Sequence, residues 1–102
     1  MSMLHTVNKS PFASSTLASC LAHALDGAAV LLIEDGVYGA LAAGNFAPTL
    51  AAEAQRLRLY VLAPDLAARG FADAALVAGV EMVDYDGFVD LAATNSAVQA
   101  WF

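Results

Sequence analysis

The chain has 102 residues, of which 60% are apolar and 14% charged, and ten acids against four Lys and Arg give it a net charge of −6. Nucleic-acid binding takes its affinity from neutralising phosphates with Lys and Arg, so this balance argues against direct contact with DNA or RNA. The longest uninterrupted apolar run, residues 28–33, falls far short of the roughly 20 residues that a membrane-spanning helix needs.

The apolar excess predicts an oligomer. Soluble domains are about 45–50% apolar and about 25% charged, and a chain this short has too little interior to bury the surplus. We expect one domain over residues 1–102 that covers its remaining apolar surface with partner chains. The N-terminal residues lack the charged start and apolar run of a signal peptide, so the expected location is the cytoplasm.

The first third of the chain predicts a strand followed by a helix. Residues 4–7 form a short apolar run that ends in the turn signal of residues 8–11. Leu17, Cys20 and Leu21 lie at helical spacing, with Ser10 as the expected cap and Pro11 as the first helical residue. Asp26 and Gly27 then end this helix.

The middle of the chain predicts two more strands. Residues 28–33 are continuously apolar and branched, which is typical of a strand covered on both faces of a parallel sheet. Residues 37–55 are rich in alanine but interrupted by glycine and proline, so we expect a helix broken into two pieces. Residues 57–63 predict the third strand.

The last third predicts a helical turn over residues 66–69, a strand near an edge over residues 79–85, and a final helix over residues 87–102. This alternation indicates an α/β fold, a small open and mostly parallel sheet of four to five strands flanked by helices. In such sheets ligands lie beyond the carboxyl ends of the strands, here residues 8–11, 35–36 and 64–65.

No metal or cofactor is expected from these residues. Residues 35–39 lack the glycine spacing of a phosphate-binding loop. Asp84, Asp86 and Asp90 resemble a calcium cluster. However, the Asp-x-Asp-Gly start at residues 84–87 is not followed by a third aspartate and a closing glutamate at the positions that a calcium loop requires. His5 lies inside the first strand and is interpreted as a core histidine rather than a ligand.

Cys20 is the candidate catalytic residue, because a thiolate can accept sulfur as a persulfide. Thiolates form where a cation or a helix N-terminus stabilises them and where they are accessible. Cys20 instead lies well inside its predicted helix on the apolar face, and only His23 is close enough in the sequence to stabilise a thiolate. Free cysteine more often acts as a small buried hydrophobe, so packing and chemistry both remain open.

Four segments in order resemble the DsrH/TusB family of sulfur-relay subunits. They are LHTVNKSP at residues 4–11, LLIEDGVY at 31–38, LYVLAPDLAARG at 59–70, and VDYDGFVDL at 83–91 before Trp101. The resemblance runs from Met3 to Trp101 and implies a small cytoplasmic α/β subunit.

The resemblance also implies partners. Members of this family assemble with two homologous subunits, one DsrE/TusD-like and one DsrF/TusC-like, as a heterohexamer. That complex passes persulfide sulfur to a DsrC/TusE-like carrier protein, for sulfur oxidation in the DsrH branch and for 2-thiouridine in tRNA in the TusB branch.

Cys20 decides between the branches at this point. The main sulfur-accepting cysteine belongs to a partner subunit, but DsrH-type chains carry a cysteine at the position of Cys20 and TusB-type chains can lack one. The resemblance therefore favours the DsrH branch and dissimilatory sulfur oxidation, with Cys20 as a secondary sulfur site. The alternatives are a TusB-type subunit and a purely structural scaffold subunit.

Overall fold

Five parallel strands form one sheet in the computed structural model, which describes residues 2–102. The spatial order is β4-β3-β2-β1-β5, so the first and the last strand are neighbours. The strands are β1 (Met3–Val7), β2 (Ala29–Leu32), β3 (Arg58–Leu62), β4 (Val80–Val83) and β5 (Ala97–Trp101). Because β1 and β2 consist of short apolar runs, they occupy the interior of the sheet, where both faces are covered.

Helices cover the two faces unequally. The elements are α1 (Thr16–His23), a 3-10 helix (Glu34–Ala40), α2 (Ala47–Glu53), α3 (Ala63–Ala68) and α4 (Tyr85–Thr94). One core cluster contains Leu17 of α1, Leu50 of α2 and Leu66 of α3 together with Val30 of β2. On the opposite face, Leu91 of α4 packs with residues of β1, β2 and β3. The fold class is therefore the α/β sheet that the sequence predicts.

The broken helix over residues 37–55 is confirmed in its two pieces, although the first piece is a 3-10 helix that already begins at Glu34. The helical turn expected at residues 66–69 is the helix α3, which begins at Ala63 because Pro64 fits the first helical turn. β4 lies at an edge of the sheet, as predicted.

The predicted start of α1 is wrong. Residues 11–13 form a turn, in which Ser10 accepts hydrogen bonds from Phe12 N through its hydroxyl and from Ala13 N through its carbonyl. The helix itself begins at Thr16, where the hydroxyl of Ser14 accepts a bond of 3.1 Å from the backbone N–H. Ser10 and Pro11 thus organise the turn before the helix.

The predicted final helix is wrong beyond Thr94. Asn95 makes the last helical bond of α4, from its backbone N–H to Leu91 O at 3.2 Å, and its side-chain amide donates to the same oxygen at 2.7 Å. The next N–H, that of Ser96, leaves the helix and donates to Ser2 O at 3.0 Å. Oδ1 of Asn95 accepts a bond of 3.1 Å from Arg58, which holds Asn95 to β3. The following residues pair with β1 as the fifth strand.

No helix within residues 2–102 is long and apolar enough to span a lipid bilayer.

Candidate functional site

Cys20 lies in the hydrophobic core. Its side chain belongs to the cluster that contains Leu17, Leu21 and Val30, and it is fully buried. Burial in apolar surroundings disfavours the thiolate and raises the pKa of Cys20 to about 12. At this position the residue contributes packing, and in the isolated chain its sulfur is out of reach of a donor.

His23 does not assist Cys20. Its Nδ1 lies 2.8 Å from the carbonyl oxygen of Ser19, and because a carbonyl only accepts, Nδ1 carries the proton. The ring packs against Trp101 at a centroid distance of 5.7 Å. The structure therefore places His23 in an aromatic group with β5, on the exposed side of α1.

The carboxyl edge of β2 and β3 is closed by its own side chains. The carboxylate of Asp65 accepts a hydrogen bond of 2.6 Å from the backbone N–H of Glu34. Arg69 forms an ion pair of 3.0 Å with Asp35. The polar groups that the sequence placed at this edge are thus paired with one another, and they hold the 3-10 helix against α3.

The edge next to β1 depends on close backbone packing. A Cβ atom on Gly36 would lie 2.2 Å from the carbonyl oxygen of Val7, so only glycine fits there. Asn8 follows directly, and its Oδ1 atom is buried without a hydrogen-bond partner within residues 2–102.

A cavity lies between α1, β1 and β5, largely towards the amino ends of the strands. It has a volume of about 490 Å³, and its aromatic lining consists of His5, His23 and Trp101. Trp101 donates its indole N–H to Nδ1 of His5 at 3.0 Å. An indole N–H only donates, so Nδ1 of His5 accepts and the proton of the neutral ring is on Nε2.

Burial keeps His5 neutral. The residue is almost completely inaccessible, and desolvation lowers its pKa below the ordinary value. Protonation would also place a hydrogen on Nδ1, which could then no longer accept the hydrogen bond from the Trp101 N–H. The hydrogen bond and the burial therefore favour the same protonation state.

The pairing of His5 with Trp101 was not foreseen from the sequence. His5 was expected to be a satisfied core histidine, and it is buried and hydrogen-bonded. Because the sequence predicts a helix over residues 87–102, it gives no reason to expect Trp101 beside the first strand. One signal in the sequence could have indicated β5. Asn95 and Ser96 are residues that often end a helix, and a short segment that ends in Trp101 follows them.

The residues present do not suit a metal ion. Among residues 2–102, no group of three or more His, Cys, Asp or Glu side chains comes close enough together to bind one. Asp84, from the acidic cluster near the C-terminus, instead caps α4 by accepting a bond of 2.8 Å from Gly87 N. The fold and these side chains define a small α/β protein with a parallel sheet and an enclosed thiol.

Comparison with known proteins gives the family. A sequence profile described as DsrH like protein matches residues 9–98. Protein TusB of Pectobacterium parmentieri is 38% identical over 99 residues, which are 97% of this chain and 100% of the relative. Protein TusB of Erwinia tasmaniensis is 39% identical over the same shares. The chain belongs to the DsrH/TusB family.

Among solved structures, the ychN protein of E. coli has the same fold. The TM-score is 0.82, the alignment covers 98% of each chain, and the sequence identity is 16%. The curated relatives carry the name TusB, so they fit the TusB branch better than the sulfur-oxidation branch that Cys20 favoured.

Proposed function

We propose that this chain is a TusB-type subunit of a cytoplasmic sulfur-relay complex that supplies sulfur for thiolation of tRNA. The observation that carries the proposal is the full-length similarity to proteins named TusB. Within the complex, two homologous subunits of the TusC and TusD type complete a heterohexamer, and a TusE-like carrier protein takes up the persulfide sulfur.

The role of this subunit is to shape and support the complex rather than to carry sulfur. A persulfide can form only on a thiolate that reaches its donor, whereas Cys20 is fully buried and its pKa is raised to about 12. The reactive cysteine then belongs to a partner subunit. For Cys20 we therefore propose a packing role in place of a secondary sulfur site.

Exposed apolar side chains support assembly. Large hydrophobic residues reach solvent in the isolated chain at both ends of the sheet and along α4, which is unfavourable unless a partner covers them. These residues are Phe12, Leu25, Met82, Tyr85, Val89, Val98 and Phe102. The net charge of −6 leaves contact with tRNA to other members of the pathway.

Coexpression with the two homologous subunits from the same genome tests the assembly. Native mass spectrometry should give a complex whose mass equals two copies of each of the three chains. This chain expressed alone should not form an assembly of that mass. A chain that stays separate from both homologous subunits would contradict the proposed function.

Analysis of tRNA tests the pathway. Deletion of the gene should abolish 2-thiouridine, measured by liquid chromatography and mass spectrometry of digested tRNA, and the wild-type gene should restore it. Cys20→Ala should restore it equally well. Unchanged 2-thiouridine after deletion would contradict the tRNA branch, and a persulfide found on Cys20 in the isolated complex would contradict the supporting role.

A further inference from the structure

β5 is an edge strand of the sheet, and its outer edge lacks the usual protection against contact with another chain. Within residues 2–102, β5 pairs only with β1, and no strand lies on its other side. Its first four residues are exposed, and the strand contains no charge and no proline. Proteins that leave an edge strand in solvent usually protect it with charged residues, proline or a bulge, so this edge is suited to contact with another chain.

The cavity described above opens beside this edge. Gln99 and Trp101 of β5 line it together with His5, His23 and Asp26. None of the four Lys and Arg residues of the chain is among the lining residues. Two guanidiniums reach its rim, since Arg56 pairs with Oδ1 of Asp26 at 3.3 Å and Arg58 donates to Gly27 O at 3.0 Å, but neither side chain lines the cavity next to β5.

Several polar atoms of the cavity are hydrogen-bond acceptors. Because Nδ1 of His23 donates to Ser19 O, its neutral ring leaves Nε2 as an acceptor. Asp26 contributes a carboxylate that is mostly exposed, and Arg56 takes only Oδ1, at 3.3 Å. The side-chain amide of Gln99 adds one oxygen and two N–H groups, and Nε2–H of His5 is a further donor.

This chemistry suits a cation. Aromatic rings attract cations through the negative face of their π-systems, and tryptophan does so most strongly. A planar guanidinium can stack on an aromatic ring and donate several hydrogen bonds at once. A chain with a net charge of −6 also attracts basic partners.

We propose that the cavity between α1, β1 and β5 receives a basic side chain, most favourably an arginine, from a partner subunit that docks along the outer edge of β5. The proposal rests on the proposed function, because the partner is a subunit of the same complex. It identifies β5 and the cavity as the docking surface and names the chemistry of the group that enters.

Two substitutions of opposite charge at Gln99 test the proposal. Gln99 is exposed, so both variants should fold. In the coexpressed complex, Gln99→Lys places a positive charge against the incoming one and should weaken assembly by about tenfold or more. Gln99→Glu has nearly the same size, and it should leave assembly equal or stronger.

Gln55→Lys is the matched control. It makes the same substitution at an exposed position outside the cavity lining, so it changes the net charge equally and should leave assembly unchanged. Equal assembly of Gln99→Lys and Gln99→Glu, whether both assemble or both fail, would overturn the proposal. Wild-type protein that fails to assemble would instead contradict the proposed function.

A second experiment uses the full chain alone. Trp101 is the only tryptophan, so its fluorescence reports on the cavity directly. Titration with N-acetyl-arginine amide should change the emission with saturation, whereas the neutral analogue N-acetyl-citrulline amide should not. An equal response to both amides, or a response to neither, would overturn the cationic occupant even if the complex assembles.

Discussion

Trp101 and His5 join the last strand to the first, because the indole N–H donates to Nδ1 of His5 at 3.0 Å across 96 positions of sequence. The two residues lie on the same face of the sheet, since His5 pairs with Gln99 in the register of β1 and β5. The rings are tilted against each other at a centroid distance of 6.1 Å. The position of β5 therefore depends on a side-chain contact as well as on the backbone ladder.

This hydrogen bond predicts a pH dependence of stability. Burial lowers the pKa of His5 in the folded state below the ordinary value of 6.5. The unfolded chain therefore binds the proton at a higher pH than the folded chain does, and the free energy of unfolding should fall as the pH drops below 6.5. The decrease should end once the pH is below the lowered pKa. Urea unfolding between neutral and mildly acidic pH measures it.

His5→Asn separates this contribution from those of other groups. The Asn side chain keeps an oxygen near the position of Nδ1 but does not titrate, so the decrease in stability over this pH range should become smaller. His23→Gln, at an exposed position of α1, is the control and should retain the decrease. A His5→Asn variant with the full wild-type decrease would contradict the assignment.

Cys20 should resist alkylation in the folded protein. With the pKa raised to about 12, a solution at pH 8 is four pH units lower, so about one thiol in 10⁴ is ionised even before access is considered. Labelling with iodoacetamide should be slow in buffer and fast in urea. Rapid labelling of the native chain would show that the thiol is accessible and would contradict its burial.

Substitution of Cys20 should distinguish packing from polarity. Cys20→Ala removes one atom from a packed core and should cost about 1 kcal/mol of unfolding free energy. Cys20→Ser places a hydroxyl among apolar side chains, where helix geometry offers only the backbone carbonyl four residues earlier as an acceptor, so its desolvation should cost roughly 1–3 kcal/mol. Chemical unfolding should therefore rank Cys20→Ser below Cys20→Ala, and the reverse order would argue against an apolar site.

Arg56 should contribute to stability through α1. Its guanidinium donates to the carbonyl oxygens of Leu21 at 2.6 Å and Ala24 at 2.7 Å, which lie at the end of that helix. Arg56→Met keeps much of the apolar stem and removes these bonds, so we expect a loss of about 1.5–3 kcal/mol, the usual range for hydrogen bonds of charged groups. Urea unfolding measures the loss.

Arg56→Lys serves as the comparison, because it keeps the charge but cannot reach several acceptors at once. Its stability should lie between those of the wild type and Arg56→Met. If Arg56→Met is as stable as the wild type, the guanidinium does not support the end of α1.

Gly36 should not tolerate alanine. The added Cβ would lie 2.2 Å from the carbonyl oxygen of Val7, and both sides of that contact are backbone. Gly70→Ala is the matched control, since Gly70 has a φ of +82° but open space around it, and the substitution should cost only about 1–2 kcal/mol of backbone strain. Gly36→Ala should lower the melting temperature by clearly more than Gly70→Ala, and an equal shift would contradict the close approach.

β2 and β3 could be predicted because each is a short apolar run bounded by turn residues. Residues 28–33 and 57–63 contain β2 and β3 with errors of one residue at each end. The burial of Cys20 also followed from its spacing relative to Leu17 and Leu21. These features depend on residues that are close together in the sequence, so the sequence alone is enough to predict them.

β5 could not be predicted because its identity depends on distant contacts. Leu91 and Val98 repeat at a spacing that is compatible with one helical stripe. The helix ends between them through distant contacts, the bond of Asn95 to Arg58 and that of Ser96 N to Ser2 O. The cavity was missed for the same reason, since it joins residues from both ends of the chain. Tertiary contacts decided these assignments over local preference.

The place of β5 beside β1 has a consequence for the order of folding. β1 is synthesised before the other four strands of the sheet, yet its second neighbour, β5, is the last of the five to be synthesised. Until then the apolar strand β1 is itself an open edge, which other nascent chains could extend. Contacts of such long sequence separation also slow folding. Loss of residues 97–102 alone would therefore expose β1, a strand in which four of the five residues are buried, rather than trim the surface of the protein.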